Sequence, residues 1–548
     1  MVAQKFRRKD AKMQRRKGRS NRNKFGWFSL ASLLLCVFGL NQLLASCSSK
    51  PTDMRALVPA DSLVYLETND LAAALQPIID SKPFTEAAKS KPDFSALKGV
   101  QLAVAVTGFE ASEEKVDEER VVGNIKPRFV AIADTHAWNF QAVGFAEQKL
   151  GAFVAKIYDG EATLEKSDKN GGKYFNWTAT DNRKAYALVI DSMIYFANDE
   201  SAIDKCLAVK RGETDSIIKT GKIQQSDPET LASGYISNDG VAQIANIVGI
   251  KVGSESSDQA EVQSAVSLIV PQILRNSVDD VTWTTRRSEI GYEDSWQIGM
   301  PSDVASGLQG VMPSRPVDTH LLSYVADSAT SVTLYNVSDP QLAWDTITRL
   351  ANQKGGAVAG EIISEVLKAS GEAYDLTDSE SFLSSVGPNL VTARIASEDE
   401  DRVAVISTIR NTSNVTASFS PELRADSAIK PASGPGMMTW KSDDGTQAAC
   451  VRGDVVAIGD SELISPYALS NPSEWISQPP HDAAVVTIGR ERGNFAEILS
   501  VFSNEGSSKK KSTFSQLIET RFTKIGIERK TNSDFGLIGW IIAQLSEN

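Results

Sequence analysis

An α+β fold, built as two tandem copies of a mostly antiparallel sheet module with packed helices behind an N-terminal signal or transmembrane helix, is the architecture this sequence predicts. Three observations carry that prediction. Residues 1–24 hold eleven Lys and Arg against one acid, Asp10, and residues 25–46 hold no charge at all. Behind them, strand-like runs cluster with amphipathic stretches between some of them, which favours an antiparallel sheet over strict strand–helix alternation. Four segments of the first half also recur, in the same order, in the second.

The apolar run begins at Phe25 and continues to Leu44. A charged arm followed by such a run describes a secretory signal, and about 20 apolar residues would also span a bilayer uncleaved. Both readings keep the basic arm in the cytoplasm and place the body outside. Leu44, Ala45, Ser46 and Cys47 close the run, and they resemble the lipobox of bacterial lipoproteins. The resemblance implies cleavage after Ser46 and lipidation of Cys47. The rest of the chain holds 46 basic and 68 acidic residues. An acidic body repels phosphate backbones, so nucleic acid is not an expected partner. The membrane is, through a lipid on Cys47 or through the uncleaved helix.

The internal repeat is read from four matches. Ala60–Leu75 finds a counterpart in Ala326–Leu342, Arg128–Asp134 in Arg402–Thr408, Met193–Ile203 in Asp454–Ile464, and Ala232–Ser237 in Ala483–Ile488. In each, a β-branched or alternating run is followed by an amphipathic stretch, most of them opened by Asp, Asn, Ser or Thr, the pattern of a strand feeding a capped helix. In the first half this predicts strands near 62–68, 101–107, 128–134, 172–178, 184–190, 193–198, 232–237, 278–286 and 291–299. Helices are expected near 70–80, 139–152, 200–210, 239–248 and 259–276, and Asp191-Ser192 reads as a hairpin turn. The chain divides into a signal (1–46), a stalk (47–56), a first module (57–300), a linker (301–318) and a second module (319–548). Pro, Gly and Ser between Pro301 and Pro316 suggest the linker. Glu110–Arg120 and Ser397–Arg402 read as equivalent acidic surface loops, without the spacing of a calcium loop. Gly355–Gly360 reads as a packed helix face. Arg286-Arg287 and Arg529-Lys530 read as strand-edge charges that discourage aggregation.

Common chemistries find little material. His136, His320 and His481 are the only histidines and belong to no metal-binding motif, so no metal or cofactor is expected. Of the body's cysteines, Cys206 and Cys450 read as separate buried thiols. Gly459–Leu463 resembles the Gly-Asp-Ser-Leu block of a serine hydrolase family with Ser461 as nucleophile, but no histidine follows His481 to serve as base. Asp460 and its counterpart Asp199 read as helix caps instead. Nucleotide-phosphate loops are absent from the sequence.

The opening Pro59–Glu67 and the strand–helix succession resemble exported bacterial lipoproteins of the domain-of-unknown-function 3352 type. That resemblance implies no catalytic residues. The expectation is therefore a non-enzymatic, membrane-tethered binding protein of the cell envelope, with its body in the periplasm or at the cell surface and an envelope protein or ligand as partner. Two alternatives stand beside it. One is a solute-binding lipoprotein with a ligand cleft between two lobes. The other is an extracytoplasmic hydrolase using carboxylates alone, with Glu67 and Asp134 as candidates; these face Asn336 and Thr408 in the second half.

Overall fold

The computed structural model describes residues 51–88, 91–115, 121–158, 160, 162–256, 260–396, 402–425, 437–464, 481–491 and 514–546. Cys47, the apolar segment before it and most of the second acidic stretch lie outside those residues. Helices and one large antiparallel sheet make the fold α+β.

The first half contributes β1 (Val64–Thr68), β2 (Gln101–Lys115), β3 (Val121–Asp134), β4 (Thr163–Lys169), β5 (Gly172–Thr178), β6 (Lys184–Ile190), β7 (Met193–Ala197), β8 (Thr230–Ile236), β9 (Val281–Arg287) and β10 (Tyr292–Gly299). Their pairings run β4-β5-β6-β7-β3-β2-β1-β8-β9-β10. After the two-residue β11 (Arg315–Pro316) come β12 (Ser331–Asn336), β13 (Val386–Ile395), β14 (Arg402–Ile409), β15 (Arg424–Ala425), β16 (Met437–Lys441), β17 (Gln447–Arg452) and β18 (Val455–Asp460). The last four are β19 (Asp482–Ala483), β20 (Val485–Glu491), β21 (Phe514–Thr523) and β22 (Gly526–Ser533). Setting aside the small β11–β19 pair, the second half runs β15-β16-β17-β18-β14-β13-β12-β20-β21-β22. Strand for strand, this is the order of the first half.

The two runs are one sheet. β10 pairs antiparallel with β22 from Tyr292↔Ser533 to Gly299↔Gly526. The last strand of one run thus meets the last strand of the other. Helices cross the junction in both directions. The helix after β10, Ser302–Val311, packs on the second half's Pro340–Gly355 helix and on β21. The helix after β22, Gly536–Ser546, packs on the first half's Leu71–Asp80 helix and on β10. Its Ile538 and Ile542, with Phe535 just before it, belong to the first half's core with Leu71, Leu75, Ile78 and Tyr292. The start of that helix is held by Asp294 of β10, whose Oδ2 accepts the Leu537 N–H at 2.7 Å while Oδ1 accepts the Thr285 hydroxyl. Burial pushes the Asp294 carboxyl above its ordinary range.

Four sequence-based expectations need correction. Glu110–Arg120 is not a loop from its start: β2 runs on to Lys115 and pairs with β3 as far as Lys115↔Val121. Ladder pairing along this ribbon overrides the poor strand propensity of the glutamates; residues 116–120 lie outside the described set. The linker is mostly helix, because Val304, Ala305 and Val311 share a buried face. Gly307, which suggested a loop, lies in this helix close to the second half: a Cβ there would meet a Leu350 methyl at 3.2 Å. Gly355–Gly360 is not one helix face but a corner. Gly356 takes φ 86° between two helices, and Asn352 Oδ1 accepts the Gly360 N–H at 2.8 Å beyond it. Finally, Arg286, Arg287, Arg529 and Lys530 are not on sheet edges, since β9 and β22 are both interior strands. They pair with neighbours instead, Arg287 with Asp80 at 3.1 Å, Lys530 with Glu293 at 2.6 Å and Arg286 with Asp227, while burial pulls Arg529 below its ordinary pKa. β4 was missed altogether. Its Thr163–Lys169 sequence is largely charged and exposed, and among the described strands it pairs with β5 alone.

Candidate functional site

Glu67 sits on β1, level with Ser233 of β8 on one side and Ala103 of β2 on the other. Side chains alternate along a strand, so Tyr65, two residues earlier, shares its face. The Tyr65 hydroxyl donates to Glu67 Oε2 at 2.8 Å, and the Ser226 and Ser233 hydroxyls each donate to Oε1 at 3.1 Å. Glu67 is 4% exposed and Tyr65 fully buried. Burial, then the adjacent Glu67 charge, pushes the Tyr65 phenol well above its ordinary pKa. A buried carboxylate holding three hydroxyl donors has most of its lone pairs engaged, which suits a structural node. Glu67→Ala is expected to cost about 3 kcal/mol, chiefly from the orphaned Tyr65 hydroxyl and the cavity. Glu67→Gln, which keeps an acceptor, is expected to cost about 1 kcal/mol. Chemical denaturation measures both, and equal costs would show that the acceptor role is not what matters.

Asp134 ends β3 on the same face. Glu67 pairs with Ala103, Ala103 pairs with Ile132, and Asp134 lies two residues further on. Two strand spacings and two residues separate the Cα atoms by about 12 Å. The fold thus aligns the two sequence-nominated carboxylates without bringing them together. Asp134 Oδ2 accepts the Thr52 hydroxyl at 2.8 Å, and Oδ1 accepts the Ser192 hydroxyl at 2.8 Å and the His136 N–H at 3.1 Å. Thr52 is also clamped by Gln101, which accepts its N–H at 2.8 Å and donates to its carbonyl at 2.9 Å. Thr52 therefore ties the first described residues of the chain to the Asp134 turn.

That turn is densely bonded. Thr135 donates its N–H and its hydroxyl to the Ser192 carbonyl at 3.1 and 2.9 Å. His136 takes φ 51° with Nδ1 3.4 Å from Asp134. The Trp138 N–H is capped by Gln141 Oε1, and Asn139 donates to the Asp191 carbonyl at 3.3 Å. From this frame two aromatic side chains project into solvent, Trp138 at 63% exposure and Phe140 at 72%.

The remaining sequence-nominated residues are scattered. His320 is exposed and meets Tyr324 edge-on at 6.0 Å. His481 Nδ1 lies 2.9 Å from Glu519 of β21. The Ser461 hydroxyl donates to the Gly445 carbonyl at 2.8 Å, and Asp460 accepts the Glu462 N–H at 2.9 Å, as Asp199 accepts that of Ser201 at 2.8 Å. Cys206 and Cys450 are free and buried, and burial pushes their thiols up to about 12 and about 11. Among the described residues no three His, Cys, Asp or Glu cluster as a metal site, and no helix is long and apolar enough to cross a membrane. A cleft of about 660 Å³ opens over three helices of the second half, lined by Trp344, Arg349, Asn352, Gln353, Ser364 and Glu380 among others. It holds neither Glu67 nor Asp134 and was not foreseen from sequence. No family model, curated protein or solved structure matches the chain.

Proposed function

We propose that the protein is a membrane-tethered envelope lipoprotein that acts by binding an envelope protein or ligand, its body being two copies of one α+β module clasped through their last strands. The observation that carries the reading is the N-terminal segment: eleven basic residues, an uncharged apolar run and Leu44-Ala45-Ser46-Cys47. Support for the duplicated body comes from the matching strand order and from helix caps at matching places. Asp70 and Asp339 each accept a backbone N–H at the start of the helix after the first strand of their half. Support for a binding role over carboxylate catalysis comes from Glu67 and Asp134, whose oxygens are taken up by structural hydroxyl and N–H donors. The test is metabolic labelling of cells with a fatty acid. The wild type is expected to take up label and Cys47→Ala to lose it; equal labelling of both would reject lipidation at Cys47.

A further inference from the structure

We infer that the aromatic pair Trp138 and Phe140 is a second membrane contact, inserted into the interfacial layer of the bilayer to which the chain is tethered. This rests on the tethered reading above and adds to it an orientation for the body. The first argument is distance. Thr52 is fixed to Asp134 and Gln101, and only four residues lie between Cys47 and Thr52. Fully extended, the five steps of chain reach about 17 Å. Trp138 is four residues beyond Asp134, so an anchor at Cys47 holds the aromatic turn within a short reach of the membrane surface.

The second argument is rigidity. Backbone N–H groups of residues 135 to 138 are bonded to Ser192, Asp134, Thr135 and Gln141, and Asn139 is pinned to Asp191. The backbone that carries the aromatics is therefore a built turn and not a loose loop. Large exposed aromatics of this kind mark interaction surfaces, and tryptophan favours the membrane–water interface, where its ring body is apolar and its N–H is wet.

The third argument is an internal comparison. β14 occupies the place in the second half that β3 occupies in the first, and each is followed by a helix, one opening at Asn139 and running on to Ile157, the other the short Thr412–Ala417. Counting from the cap, Trp138 matches Asn411 and Phe140 matches Ser413, while the fourth residue after the cap, Ala142 or Val415, is buried in both. The half that adjoins the anchor thus carries aromatics at the opening of this helix where the other half carries exposed polar side chains. A role in folding would call for apolar residues in both places. A role at the membrane calls for them only beside the tether.

The test uses the full chain, purified with its anchor and reconstituted into phosphatidylcholine–phosphatidylglycerol vesicles with brominated acyl chains, which quench only tryptophan at membrane depth. Flotation reports the tether, and the difference in quenching between wild type and Trp138→Phe reports the insertion. The expected result is that both float and that Trp138→Phe loses a quenched component of about one tryptophan in intensity. If both float and are quenched equally, the inference is overturned, the tether stands, and the aromatic pair falls to a protein partner. If neither floats, the tethered reading itself has failed and the inference falls with it.

Discussion

Replacing Ile538 and Ile542 by alanine is expected to destabilise the protein by about 5 kcal/mol, with the damage appearing in the other half of the chain. Both residues lie in the C-terminal helix, 7% and 1% exposed, yet their neighbours are core residues of the first half. A buried isoleucine truncated to alanine costs roughly 2–5 kcal/mol, and two residues one turn apart share a cavity, so the pair falls short of twice the upper figure. The same helix is tied to β10 by Asp294 through the Leu537 N–H. It also lies against the Leu71–Asp80 helix, whose Ala74 carbonyl accepts the Tyr292 hydroxyl at 2.7 Å. Hydrogen exchange read by segment checks the prediction. Amides of Leu71–Asp80 and β10 should lose protection while those of β13 and β14 keep theirs. Loss confined to the C-terminal helix would mean that it covers the first half without supporting it.

Much of the fold could be read from local sequence, for a physical reason. Caps and turns are made by neighbours: Asp70, Asp199 and Asp339 cap the helices they precede, and Asp191 takes φ 55° in the tight turn between β6 and β7. What escaped is what depends on partners far along the chain. Nothing in the periodicity of β10 says that β22, more than 230 residues on, completes its pairing, so arginines of interior strands looked like edge charges. The helix Ser302–Val311 looked like a linker because the elements its buried face packs on, the Pro340–Gly355 helix and β21, come later in the chain. The site shows the same division. Glu67 and Asp134 stood out as carboxylates at strand ends, but Ser226, Ser233, Ser192 and Thr52, which turn them into structural nodes, lie 58 to 166 residues away. Trp138 and Phe140 gave no signal, since apolar residues at the start of an amphipathic helix read as core.

At the junction itself, Gly526→Ala is expected to cost about 4 kcal/mol and to loosen β10 from β22. Gly526 takes φ 140°, which strains any side chain, and a Cβ there would sit 1.9 Å from the Ile298 carbonyl oxygen and 3.1 Å from the Met300 N. All of the close atoms are backbone, so no rotamer change relieves the clash. Sliding β22 by one residue would turn its alternate side chains to the wrong face while it is still paired with β21. The remaining escape is for β22 and β10 to part at this end, breaking the Met300 N–H to Ile525 carbonyl bond of 3.0 Å as well. Gly99→Ala separates the two sources of cost, because Gly99 has φ 74° but nothing within 4 Å of its would-be Cβ. Strain alone should cost that variant about 1 kcal/mol. Denaturation gives the two free energies, and exchange along β10 and β22 gives the location. Equal costs at Gly526 and Gly99 would mean that the backbones of the two halves do not meet as closely as the strand pairing requires. A larger cost at Gly526, with exchange rising in both strands at once, would show that the halves stand or fall together through this contact.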